Sequence, residues 1–194
     1  MKRIAVFCGS SPGNDEIFAE KAYLLGQSLA ERGIGLVYGG ASVGLMGIIA
    51  DGVLSKKGEV IGVMPHFLKE KEIDHKHLSE LILTDSMHER KAKMSELADG
   101  FIALPGGFGT LEELFEVLAW AQLNIHKKPV ALLNINGFYS DLVGMIETMV
   151  DKGLSKPEHR NLLLISDNIN ELLEKMENYT SPAYDKWIFN HEKT

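Results

Sequence analysis

The sequence predicts an α/β fold: a single doubly wound parallel sheet, Rossmann-like, with helices on both faces. Three observations point there. Short apolar runs alternate with stretches of helical period along most of the chain. Those runs, Val60-Ile61-Gly62-Val63-Met64 among them, lack the in-and-out alternation of a half-exposed strand, as expected of strands covered on both faces. Glycine-dense turns follow two of the strands directly, at the carboxyl ends where such sheets hold ligands.

Taken in order, residues 4–8 form the first strand, and Gly9-Ser10-Ser11-Pro12-Gly13-Asn14-Asp15 is a loop rich in hydroxyls and glycine. A helix follows with Phe18, Ala22, Leu25 and Leu29 on one face, and it stops near Gly33. Residues 34–38 are the second strand, which runs into the glycine-dense turn 39–47 and a helix through 48–54. The third strand, 60–64, ends at Pro65. The polar stretch 66–79 reads as a mobile loop or lid. A short strand at 81–83 leads to a helix over 87–97 that starts near Ser86. Residues 100–104 form a buried strand, and apolar residues return at helical spacing from Leu111 (Leu111, Leu114, Phe115, Leu118). Strands at 130–133 and 162–165 and helices over 138–151 and 169–176 complete the pattern. Residues 179–194 show no clear period. The reading is one catalytic domain over residues 1–180 and a C-terminal tail over 181–194.

At 194 residues with 45% apolar content, the chain fits a single domain with a substantial core. Its net charge of −7, with no large basic cluster, argues against nucleic acid and against a lipid-headgroup surface, and for a small metabolite. The basic residues Lys2 and Arg3 precede an apolar run too short for a secretory signal. No run approaches the ~18 apolar residues of a membrane span. The single cysteine, Cys8, excludes an internal disulfide and suits a reducing cytoplasm.

Chemistry concentrates at Pro105-Gly106-Gly107-Phe108-Gly109-Thr110-Leu111-Glu112-Glu113, where a strand turns into a helix. Three glycines in four positions let a ligand approach the backbone, and the free N–H groups of a helix start suit an anion. Thr110 is expected as the N-cap. Glu112 and Glu113 lie ~100° apart on a helix, so one can look into a site while the other faces solvent. A tight turn with no ligand is the plainer reading; the carboxylates that follow, and the second glycine loop upstream, weigh against it.

Neither glycine loop has the dinucleotide spacing, and no Lys-Ser or Lys-Thr of a Walker loop follows Gly109. A phosphate on a smaller molecule, such as a nucleoside monophosphate, fits two cradles better. Arg90 and Lys91 stand early in a helix, against the dipole, and call for a ligand anion or a carboxylate; pairing with Glu89 in solvent is the alternative. His66, His75 and His77 are too loosely spaced for zinc, so no metal is expected. A pyridoxal cofactor would need a Schiff-base lysine. Lys91 is the one candidate near the pocket and no feature singles it out.

The glycine loop resembles the PGGxGTxxE motif of the LOG ("Lonely Guy") family, cytokinin riboside 5'-monophosphate phosphoribohydrolases often labelled lysine decarboxylases. Phe7-Cys8-Gly9-Ser10-Ser11, Val37-Tyr38-Gly39-Gly40, Gly44-Leu45-Met46-Gly47, Met87-His88-Glu89-Arg90-Lys91 and Trp120-Ala121-Gln122-Leu123 are similar to family segments in family order. The resemblance implies hydrolysis of the N-glycosidic bond of an N6-substituted adenosine 5'-monophosphate, without metal or organic cofactor. It implies Arg90 and Glu113 as the catalytic pair, and Ser10, Gly40, Met46, Glu72, Lys91, Gly106, Gly107, Gly109, Thr110 and Glu112 as substrate contacts. It also implies a homodimer packed on the helix after the loop, which is apolar around most of its circumference. A general AMP nucleosidase and a nucleotide-binding regulatory protein without turnover remain the rival readings.

Overall fold

The computed structural model describes residues 1–69 and 74–182. Among these residues seven strands form one all-parallel sheet: β1 (Arg3–Phe7), β2 (Gly35–Tyr38), β3 (Val60–Pro65), β4 (Glu80–Thr84), β5 (Gly100–Ala103), β6 (Val130–Leu133) and β7 (Leu163–Ser166). Their spatial order is β4-β3-β2-β1-β5-β6-β7. The chain runs outward from β1 in one direction through β4, then crosses back to β5 and runs outward in the other. Order therefore reverses between β1 and β5, and the crevice opens beyond the carboxyl ends of those two strands.

Helices cover both faces. On one side lie α1 (Glu16–Glu31) and α2 (Gly44–Ser55), whose buried faces join Ile4, Val6 and Leu36 in one apolar cluster. After β3 comes the short α3 (His66–Lys69). On the opposite side α4 (Met87–Leu97), α5 (Phe108–Gln122) and α6 (Ser140–Asp151) pack over Ala5, Phe7, Val37 and Phe101. The last helix, α7 (Ile169–Glu177), returns to the first face. The strands are buried on both sides because successive residues enter different clusters: Ile4 and Val6 face α1 and α2, while Ala5 and Phe7 face α4 and α5. That is why their sequence shows no alternation.

Local chemistry sets the helix ends. Asp15 caps α1 by accepting the Ile17 N–H at 3.2 Å, and α1 stops at Arg32 before Gly33, which has φ +69. Ser86 accepts the Glu89 N–H at 3.2 Å while the Glu89 carboxylate accepts the Asp85 N–H at 2.9 Å, a reciprocal pair that opens α4. Glu89 is thereby spent on the cap, which rules out the alternative in which it pairs with the basic turn. The helix of the second glycine turn begins earlier than expected, at Gly44 rather than 48. The stretch read as a lid holds α3 at its start, and beyond the undescribed residues 70–73 it is anchored. Asp74 bridges to Ala41, the His75 N–H donates to the Gly40 carbonyl at 3.3 Å, and the His75 ring meets Asp51 at 3.0 Å. Glu72 lies outside the described residues, as does the tail from residue 183 onward.

Candidate active site

Three backbone segments are laced together at the switch point. The Leu104 N–H donates to the Phe7 carbonyl at 2.9 Å, Gly9 N–H to Pro105 carbonyl at 3.0 Å, and Leu45 N–H to Gly9 carbonyl at 3.0 Å. From behind, the buried Tyr139 hydroxyl donates to the Leu104 carbonyl at 2.6 Å. These bonds hold the loop after β1, the loop after β5 and the start of α2 as one rigid floor.

On that floor α5 begins three residues earlier than its sequence suggests. Gly107, extended at φ −93 and ψ −155, is the cap, and Thr110 falls in the first turn with 4% exposure. The reason is packing at Gly106: a Cβ there would stand 2.1 Å from the Thr110 hydroxyl oxygen and 2.9 Å from the Gly9 nitrogen. Thr110 is thus folded inward over Gly106 and cannot serve as the cap. A Cβ on Gly107 or Gly109 would meet nothing within 4 Å, so this side of the loop is open. The N–H groups of Phe108, Gly109 and Thr110 precede the first intrahelical bond, Leu111 N–H to Gly107 carbonyl at 3.2 Å, and have no acceptor within the helix.

The opening is a cavity of about 290 Å³ lined by Gly9 and Ser10 from the first loop, Met46 from α2, Met87, Arg90 and Met94 from α4, and Gly107 to Thr110 with Glu112 and Glu113 from α5. The Arg90 guanidinium lies 3.8 Å from the Glu113 carboxylate, with both side chains nearly enclosed, and its Nε donates to the Val63 carbonyl at 3.1 Å. Burial pushes the Glu113 carboxyl above its ordinary value, against the pull of Arg90. Cys8, at the end of β1, is buried, and its thiol is driven far up by burial and then by the Glu113 charge, so it stays neutral.

Of the residues singled out in the sequence, Ser10, Met46, Arg90, Gly107, Gly109, Thr110, Glu112 and Glu113 meet at this cavity. Gly106 lies beneath it as the packing point for Thr110. Gly40, with φ +83, turns the chain at the end of β2 and faces Met64 and Leu81. Lys91 is not part of the cavity wall: its ammonium donates to Glu112 and, at 3.0 Å, to Glu116. Hydrogen bonds to those two acids outweigh its burial and raise its pKa, which keeps it a cation. A lysine so held does not fit the role of a Schiff-base amine for pyridoxal phosphate.

Sequence reasoning missed Gly39. A Cβ there would lie 2.2 Å from Nη2 of Arg90 and 2.9 Å from the Met46 sulfur, so this glycine makes room for the guanidinium. The available signal was the Gly39-Gly40 pair, of which only the second has positive φ. Phe108, 94% exposed at the cavity mouth, was also passed over.

The family model described as "Possible lysine decarboxylase" matches residues 46–176. Cytokinin riboside 5'-monophosphate phosphoribohydrolase LOG5 of Arabidopsis thaliana is 49% identical over 178 residues, 92% of this chain and 78% of its own length. The probable cytokinin riboside 5'-monophosphate phosphoribohydrolase LOGL2 of Oryza sativa subsp. japonica is 48% identical over 96% of this chain and 76% of its own. Among solved structures, the molybdenum cofactor binding protein from Rippkaea orientalis superposes with a TM-score of 0.69 at 24% identity, covering 91% of this chain and 96% of that one, which shows the shared fold. No helix among the described residues is long and apolar enough to cross a membrane. On the span of the family model and the near-50% identity over almost the whole chain, this protein belongs to the LOG family of cytokinin riboside 5'-monophosphate phosphoribohydrolases, the family whose model is described as "Possible lysine decarboxylase".

Proposed function

We propose that this protein hydrolyses the N-glycosidic bond of N6-substituted adenosine 5'-monophosphates, releasing the free base and ribose 5-phosphate. The observation that carries the reading is that the unpartnered N–H groups at the start of α5 and the enclosed Arg90–Glu113 pair open onto one cavity. The phosphate takes those N–H groups and the positive end of the helix dipole. Glu113 is a turn further along the same helix, which brings its carboxylate to the ribose.

Breaking a ribose–base bond builds positive charge at the anomeric carbon, and a carboxylate in a water-poor cavity stabilises that charge. Water adds its hydroxyl to the anomeric carbon, Glu113 takes the proton, and the proton ends on the base nitrogen that the sugar leaves. The raised pKa of Glu113 suits it to hold that proton in transit. Arg90, fixed by Val63, orients Glu113 and binds the ribose or phosphate oxygens. Gly107, Gly109 and Thr110 hold the phosphate, Ser10 and Met46 line the wall opposite, and Gly40 and Gly106 shape the backbone.

The working unit is a homodimer. Val150 is the one buried residue of α6, and between α5 and α6 runs a groove of about 310 Å³ walled by Phe115, Leu118, Ile146 and Met149. A second copy laid on this face covers apolar surface that the chain leaves open.

Incubating the pure protein with AMP and with isopentenyladenosine monophosphate tests the reading. Free base and ribose 5-phosphate, formed faster from the N6-substituted nucleotide, are expected. Equal rates on a panel of monophosphates would indicate a general nucleosidase, and binding without any product a regulatory protein.

A further inference from the structure

Arg90 and Lys91 are consecutive on α4, Glu112 and Glu113 are consecutive on α5, and neighbours on a helix diverge by about 100°. The structure matches the pairs in crossed order. Arg90 faces Glu113 at 3.8 Å, while Lys91 binds Glu112 and also Glu116, one turn on, at 3.0 Å. The Lys91 side chain is only 8% exposed, whereas Glu112 is 56% exposed. Water can serve the acid but hardly reaches the ammonium, so the ammonium depends on these carboxylates for its acceptors.

We propose that Lys91 is a positioning residue of this site: through Glu112 and Glu116 it fixes α4 against α5, keeps Arg90 opposite Glu113, and does not contact the nucleotide. The inference rests on Glu113 being the acid that carries the reaction. A lysine that touched substrate would point its ammonium at the cavity; this one turns to Glu112 and Glu116 and is absent from the cavity wall, while its neighbour Arg90 supplies the cation inside.

A second consequence is electrostatic. The charges facing Glu113 are Arg90 and Lys91 from α4 and Glu112 and Glu116 from its own helix; Cys8 of β1 is also close but neutral. Lys91 offsets the two flanking acids. Without it, Arg90 alone opposes Glu112 and Glu116, and Glu113 holds its proton to higher pH.

The test compares Lys91→Met, Lys91→Arg and Glu116→Gln in the full chain. One readout is the pH profile of turnover on N6-substituted adenosine monophosphate; the other is carbon-13 NMR titration of the Glu113 carboxyl in the unliganded protein. For Lys91→Met we expect kcat about tenfold lower or more with KM little changed. The Glu113 midpoint should rise by about one pH unit in Lys91→Met and fall in Glu116→Gln. Lys91→Arg should keep the wild-type profile. Glu116→Gln keeps the test open should Lys91→Met fail to fold. A Glu113 midpoint that stays fixed in the folded variants, or a Lys91→Met protein with raised KM and unchanged kcat, would overturn the proposal. A wild-type protein that turns over no nucleotide defeats the functional reading instead, and the NMR titration still decides the role of Lys91.

Discussion

Gly39 and Arg90 share one space: a methyl group on the glycine would stand 2.2 Å from Nη2 of the arginine. The guanidinium reaches Glu113 by lying across the end of β2, and only a residue without a side chain lets it do so. Gly39→Ala should therefore keep the fold and displace Arg90, lowering kcat/KM by about a hundredfold, the usual cost of a misplaced catalytic group. Steady-state kinetics with a matched thermal melt would check this; unchanged turnover would show that Arg90 is free to move.

Arg90→Ala and Glu113→Gln should each lower kcat/KM by about 10²- to 10⁴-fold, the range for a positioned acid–base group. Their pH profiles should differ. Glu113 titrates above its ordinary value because burial outweighs the attraction of Arg90, so activity falls as the pH drops through that raised value. Arg90→Ala removes the attraction and should move the acid limb further up, whereas Glu113→Gln should erase it.

The same raised pKa implies a stability cost. A carboxyl that binds its proton more tightly folded than unfolded stabilises the fold below the unfolded value of 4.5, and that contribution is lost as the pH climbs through the folded value. Glu113→Gln stays neutral throughout. It should melt like the wild type near pH 4 and higher than the wild type at pH 8, a divergence that calorimetry across the range would detect.

The glycines of the loop separate into two kinds. Gly106→Ala pushes a methyl into Thr110 and the Gly9 backbone and should destabilise the fold by about 1–3 kcal/mol. Gly109→Ala meets no protein atom and should leave the melting temperature alone while raising KM, because its methyl enters the open space proposed for the phosphate. A shared loss of stability would contradict this division.

Phe115 is 39% exposed on the open flank of α5. Phe115→Asp should convert a dimer into a monomer by light scattering at micromolar concentration. A wild-type monomer at that concentration would refute the pairing.

The sheet was legible in the sequence because a strand covered on both faces has no polar side to interrupt it, as residues 100–104 and 130–133 illustrate. Caps at Ser86 and near Gly33 were legible because the cap residue's own chemistry ends the helix. The start of α5 was not. Thr110 has the composition of a cap, but its burial over Gly106 is a tertiary fact, and Gly107 takes the entry instead. Partners for Arg90 and Lys91 could be demanded from the helix dipole, yet which acids supply them depends on how α4 crosses α5. Gly39 was hidden for the same reason: what a missing side chain makes room for lies 51 residues away, at Arg90.

Both helices that supply the proposed reacting pair, Arg90 and Glu113, belong to one layer, above Ala5 and Phe7, while α1 and α7 lie on the reverse of the sheet. Apart from the head of α2, where Leu45 holds Gly9 and Met46 lines the wall, the helices of the reverse layer contribute nothing to the cavity. Heat tolerance can therefore be rebuilt on that side, at Leu25, Leu29 or Leu172, with catalysis left as it stands. Relatives adapted to hot or cold habitats should differ most in α1 and α7 and least in α4 and α5.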